Sequence, residues 1–193
     1  MSIISSNSAN YASAILPTFL LRGSGVFAVE TQKCSCDVLG KQACSIYGKT
    51  YHISNTFVKD LVEMAEREGR LVYGLDCLSI VNKYDAIGWL RALSELPRED
   101  KRPIIVVIDN ITDLSAKELQ YALIHAWKNE KNVFLDDRQG QNDSFSINNK
   151  DYLVYLTSDL EHHDELLKIL YPRDSFSWIG NYEVWKKSIL KTH

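Results

Sequence analysis

The run Ile104-Ile-Val-Val-Ile108, preceded by Arg102-Pro103 and followed by Asp109-Asn110, constrains the fold more than any other stretch of the chain. Five consecutive apolar, β-branched residues leave no polar face, so as a strand they must be covered on both sides, as central parallel strands packed between helices are. The run is too short for a buried helix and is bounded by a proline and a polar cluster, which favours the strand. It delivers the carboxylate of Asp109 to the C-terminal end, where doubly wound sheets open to ligands.

The rest of the chain alternates in a way that supplies the covering layers. Asn55-Thr56 caps a helix in which Phe57, Leu61, Val62, Met64 and Ala65 recur at helical spacing before Gly69. Arg70 to Leu75 reads as a strand, and Tyr84 to Leu96 as a second amphipathic helix stopped by Pro97. Ser115-x-x-Glu118 has the spacing of a capping box, with Leu119, Ala122, Leu123, Ala126 and Trp127 as its apolar stripe. Val133 to Leu135 and Ser144 to Ile147 flank the polar loop 136–143 as a small hairpin, and Tyr152 to Leu156 is a further buried strand. A helical region over Asp164 to Leu170 and a terminal helix over Tyr182 to Leu190 follow. The first segment, Ser8 to Leu21, reads as a short helix broken by Pro17, then come strands at Gly25 to Glu30 and Ala43 to Tyr47 around a turn at Cys34 to Gly40. The sum is an α/β domain with a mainly parallel, three-layer sheet and right-handed crossovers.

Composition bounds the function classes. A chain of 193 residues with 45% hydrophobic content is long enough for one well-buried core, so residues 1–193 are expected to form a single domain, with 1–42 as an N-terminal decoration. A net charge of -3 gives no general attraction to nucleic acid. No apolar run approaches the roughly 18 residues of a membrane helix. The first charge is Arg22, so no basic secretory leader opens the chain, and four cysteines fit reduced thiols, which together predict a cytoplasmic protein.

From residue 43 to 170 the order of elements resembles the core of AAA+ P-loop ATPases, most closely the Clp-type unfoldases. Ile104 to Asp109 matches the Walker B strand, Ser115 to Lys128 the helix after it, Phe134 to Asn148 the hairpin before the next strand, and Tyr152 to Asp159 the sensor-1 strand. The resemblance implies that Thr56 to Glu68 is the P-loop helix, that the Walker A loop lies between Ala43 and Thr56, and that ATP and Mg²⁺ would be the ligands. It also implies a helical lid domain, for which no counterpart is visible in the sequence.

The phosphate machinery departs from that pattern. Reading G-x-x-x-x-G-K-[ST] from Gly48 puts Ile53, Ser54 and Asn55 where Gly, Lys and Ser/Thr belong, and a serine cannot supply a cation. Gly48-Lys49-Thr50 gives a second register, with Ala43 at the first glycine, but it would start the helix through Thr-Tyr-His-Ile. Asp109 keeps the magnesium-side carboxylate, Asn110 replaces the acid that orients water, and Asp159 replaces the sensor-1 asparagine. Arg173 is the candidate arginine finger, against the plainer reading of a solvated arginine. The resemblance with these departures implies a pseudo-ATPase: a non-catalytic interaction or scaffolding module, with a protein partner or self-association and no bound cofactor. A divergent Mg-dependent ATPase using Lys49, Thr50 and Asp109 is the alternative, and a metal-dependent nuclease built on Asp109, Asp113, Asp136, Asp137 and Asp159 is the second.

Other constellations have simpler explanations beside functional ones. Cys34, Cys36 and Cys44 with His52 or Cys77 supply zinc-type ligands, against plain loop and core thiols. His162-His163-Asp164 pairs two metal-ligand types, but Asp164 reads as a helix cap. Tyr171, Phe176, Trp178, Tyr182 and Trp185 either pack the last helix on the sheet or face a partner.

Overall fold

A computed structural model describes residues 15–33, 42–98, 100–113, 117–137, 140, 143–162, 164–165, 168 and 176–192. Its centre is a seven-stranded mixed sheet. In chain order the strands are β1 (Gly25–Thr31), β2 (Gln42–Ile46), β3 (Lys49–His52), β4 (Val72–Asp76), β5 (Ile104–Asp109), β8 (Tyr152–Asp159) and β9 (Ser177–Asn181). A separate hairpin is formed by β6 (Lys131–Asp136) and β7 (Asp143–Asn148), and the longer helices among the described residues are α1 (Thr56–Arg67), α2 (Lys83–Ser94), α3 (Lys117–His125) and α4 (Tyr182–Thr192). The sheet order is β3-β2-β4-β5-β8-β1-β9, with β3 antiparallel to β2 and every other pair parallel.

β5 is central, as its sequence requires. Alternation along the strand sends Ile105 and Val107 into one apolar cluster with Phe57, Val58 and Leu61 of α1, and Val106 and Ile108 into another with Trp89 and Leu90 of α2 and Trp127. These two cores make the three layers. β6 and β7 stack Phe134 on Phe145 and lean on the second core. Arg91 of α2 pins the hairpin by ion pairs to Asp136 at 3.0 Å and Asp143 at 2.6 Å.

Three features differ from the sequence-based expectation. Lys49–His52 is a strand, closing a hairpin whose two turn residues, Tyr47 and Gly48, have φ of 57° and 66°, the left-handed pair that a tight two-residue turn demands. Tyr47 masks that turn because an aromatic residue seldom adopts this conformation. Ser177–Asn181 is also a strand, the edge partner of β1; its glycine and exposed tryptophan hide the alternation. Finally, the strand that leads into α1 is β1. Thr56 N donates to Gln32 O at 3.2 Å and Lys33 bridges Asn55, and the described part of the chain between them forms β2 and β3 at the far edge of the sheet.

The remaining expectations fall on both sides of the described residues. Residues 15–20 are helical and include Pro17, which does not break the helix there as expected; its carbonyl accepts from Leu21 N at 2.9 Å. The turn expected at Cys34 to Gly40 and most of the helix expected after Asp164 lie outside the described residues. Among the described residues no helix is long and apolar enough to cross a membrane.

Candidate functional site

Asp109 ends β5 in register with Asp76 of β4 and Thr157 of β8, so three polar side chains meet at the C-terminal rim of the sheet. Its carboxylate is buried, at 2% exposure. Five donors converge on it. Oδ2 accepts from Tyr51 Oη at 2.8 Å, Asn55 Nδ2 at 3.1 Å and Ser54 Oγ at 3.3 Å; Oδ1 accepts from Thr157 Oγ1 at 2.6 Å and from Asn110 N at 2.9 Å. Burial lifts the Asp109 pKa above the ordinary carboxylate value, while the hydrogen bonds from Thr157 and Tyr51 work in the opposite direction. Burial, and then the neighbouring Asp109 charge, push the Tyr51 phenol well above its usual value, which keeps it a donor.

The N-terminus of α1 faces the same place, and an unoccupied helix N-terminus is a ready anion site. Here its first donors are taken. Thr56 N bonds Gln32 O, Phe57 N bonds Thr31 Oγ1 at 3.2 Å, and Val58 N bonds Asn55 Oδ1 at 2.8 Å, while Lys59 N makes the first ordinary helical bond, to Asn55 O at 3.2 Å. Asn55 therefore caps the helix with one end of its amide and holds Asp109 with the other. Thr56 Oγ1 turns away to Glu183 Oε1 at 2.5 Å. The crevice framed by Thr31, Lys33, Ser54, Asn55, Asp109 and Asp159 keeps about 10 Å³ of free space, at the lower limit for a single water.

The other residues singled out in the sequence have these positions. Gly48 is in the hairpin turn; Lys49 Nζ bonds Ser79 O at 2.9 Å and lies 3.4 Å from Asp85 Oδ1, at the sheet edge, and Thr50 is exposed on β3. Asn110 has a φ of 57° and donates to Asp76 Oδ1 at 2.9 Å, tying β5 to β4. Asp159 takes an ion pair from Lys33 Nζ at 2.8 Å and a hydrogen bond from His162 Nδ1. Burial opposes its ionisation, but Lys33 and His162 together hold its pKa below the usual carboxylate value. Arg173, His163 and Tyr171 lie outside the described residues.

The acidic set divides. Asp136 is buried against Arg91 and Asp137 lies 3.7 Å from Lys83, both beside α2, whereas Asp109 is held by Tyr51, Asn55 and Thr157. Among the described residues no group of three or more His, Cys, Asp or Glu side chains is arranged to hold a metal. Of the cysteines, Cys77 is a buried core thiol and Cys44 is half-buried, while Cys34 and Cys36 lie outside the described residues. Tyr182 packs on Phe57 at 5.0 Å and bonds Asp60 at 2.7 Å, with Trp185 stacked on it, so Tyr182 fastens α4 to α1.

Two site residues have no sequence signal strong enough to find them. Tyr51 reads as part of a β-branched and aromatic run, and Thr157 as one of three polar residues ending a strand. Only pairing across β4, β5 and β8 brings them to one carboxylate. Comparison with family models and with curated proteins gives no match to this chain.

Proposed function

We propose that the chain is an AAA+-like core without nucleotide chemistry, a pseudo-ATPase that works through protein contacts as an interaction or scaffolding module of a larger assembly. The observation that carries this reading is the N-terminus of α1, where Thr56, Phe57 and Val58, the first-turn residues without an intrahelical acceptor, donate their N–H groups to other oxygens of the chain. A phosphate-binding helix leaves those donors for the ligand.

Support comes from the frame around them. The end of β1, the start of α1 and Asp109 border one crevice, with β8 between β1 and β5, an arrangement that resembles the strand, turn and helix succession of a P-loop beside a Walker B-like acid. The turn is replaced by the excursion that forms β2 and β3, and Tyr51 from that excursion occupies Asp109. Tyr47 of the β2–β3 turn, and Leu78, Val81 and Tyr84 between the end of β4 and the start of α2, are 43%, 63%, 81% and 44% exposed. Exposed apolar groups of this kind suit a protein contact.

Titration calorimetry with MgATP tests the reading. The expected result is no saturable heat and a melting temperature unmoved by excess nucleotide. Saturable binding that Lys49→Ala abolishes would assign Gly48-Lys49-Thr50 a phosphate-binding role and overturn it.

A further inference from the structure

At the opposite end of β4 and β5, roughly 15 Å from Asp109 by the length of a five-residue strand, an open depression of about 200 Å³ is lined by Arg70, Arg98, Asp100 and Arg102 together with Leu71, Tyr73, Pro97 and Pro103. Arg70 is the unusual member. It follows α1, whose last turn fixes it through Arg70 N to Ala65 O at 2.9 Å, and its side chain is buried with 8% exposure. Two of its five N–H groups are used, one to Leu21 O at 2.6 Å and one to Pro103 O at 2.5 Å. Both acceptors are neutral carbonyls. Among the described residues no carboxylate pairs with it, whereas Arg22 pairs with Glu68, Arg98 with Asp151 and Arg102 with Asp100.

A buried cation without a paired carboxylate is costly, and Arg70 lines the depression with three of its N–H groups not used by the two carbonyls. Burial, and then the neighbouring Arg102 charge, bring the Arg70 pKa below its usual value, against the Glu68 and Asp100 carboxylates, which act in the opposite direction. An incoming anion would relieve the cost of burial. Arg98 and Arg102, each nearly half exposed, flank the opening and can turn from their present carboxylates to a ligand. The guanidinium fork matches the planar or tetrahedral oxygens of carboxylate and phosphate, and Leu71, Tyr73 and the two prolines give an apolar wall beside it.

We propose that Arg70, with Arg98 and Arg102, forms a binding site for a small oxyanion, a phosphate or carboxylate group, in this depression. Asp100 is its internal competitor, holding Arg102 through Nε at 2.7 Å. The site shares no residue with the Asp109 crevice, so it stands or fails independently of the pseudo-ATPase reading.

The test is an NMR titration of the full chain with inorganic phosphate and, separately, with benzoate, following the amides of residues 69–73 and 100–105. Saturable shifts confined to these residues are expected with at least one probe, and the tighter one names the oxyanion class. Arg102→Gln should weaken binding about tenfold, the loss of one charge-assisted contact, and Asp100→Asn should tighten it. Both positions are surface groups, so the fold is retained and Arg70 keeps its carbonyl bonds. Shifts that stay linear with concentration, that sodium chloride at equal ionic strength reproduces, or that either substitution leaves unmoved would overturn the proposal.

Discussion

The side chain of Tyr51 packs directly against Gly74: a Cβ at position 74 would stand 2.6 Å from its Cγ and Cδ1. Tyr51 crosses β4 at that point and reaches Asp109 on the next strand, so the missing side chain of Gly74 is what lets β3 supply a donor to β5. Gly74→Ala should therefore displace the phenol, costing about 2 kcal/mol from overpacking and a lost buried hydrogen bond. Denaturant unfolding of Gly74→Ala, Tyr51→Phe and the double variant checks it. Additive effects would mean that the two residues are not coupled as described.

Asp109 accepts five hydrogen bonds in a buried setting, so its removal leaves Tyr51, Asn55 and Thr157 without their acceptor. Asp109→Ala is expected to destabilise the domain by about 3 kcal/mol or more. A carboxylate kept mainly to receive a cation would behave otherwise, since removing its buried charge would relieve strain. Unchanged or raised stability in chemical unfolding would count against an architectural role.

His162 should titrate above its ordinary value of 6.5, because the hydrogen bond to Asp159 favours its charged form and the Asp159, Asp113 and Glu165 charges add to it. A raised histidine contributes stability that is complete below the ordinary value and disappears as pH climbs through the folded pKa. Asp159, held low, contributes above its ordinary 3.8 and loses that contribution as pH falls through its folded pKa. Proton NMR of the His162 ring gives the midpoint, and Asp159→Asn should bring it back down. A midpoint at or below 6.5 in the unaltered protein would remove the pair.

Arg91 joins α2 to the hairpin through Asp136, Asp143 and the helical neighbour Glu95. Asp136 is 4% exposed, so Arg91→Ala takes a paired cation from a buried carboxylate and is expected to lower the melting temperature. Hydrogen exchange should quicken in β6 and β7 before it does in β5. Equal acceleration throughout would mean that the hairpin does not open as a separate unit.

Most of the sheet and helix pattern is legible in the residues themselves. Ile104 to Ile108 has to be central because no face of it is polar, and Asn55 has to cap α1 because the apolar repeat begins just after it; both follow from local chemistry and period. Asp109 at the end of a buried strand is readable for the same reason. The sequence alone also shows that Ser54 and Asn55 stand where a phosphate loop needs a lysine and a hydroxyl.

Tertiary structure decided the rest, since it depends on pairing between distant segments. Lys49 looks like a phosphate ligand by spacing to Gly48, but β3 runs along the sheet edge and directs it to Ser79 and Asp85. β1 becomes the strand before α1 only because it inserts between β8 and β9, a non-local choice that periodicity does not encode. That insertion puts Gln32 and Thr31 on the N–H groups of α1 and, with Tyr51 crossing Gly74, closes the space around Asp109. The sequence by itself determined that a carboxylate reaches the rim of a buried sheet; which groups surround it was decided by strand order, because hydrogen-bond partners fixed by register lie far apart in the chain.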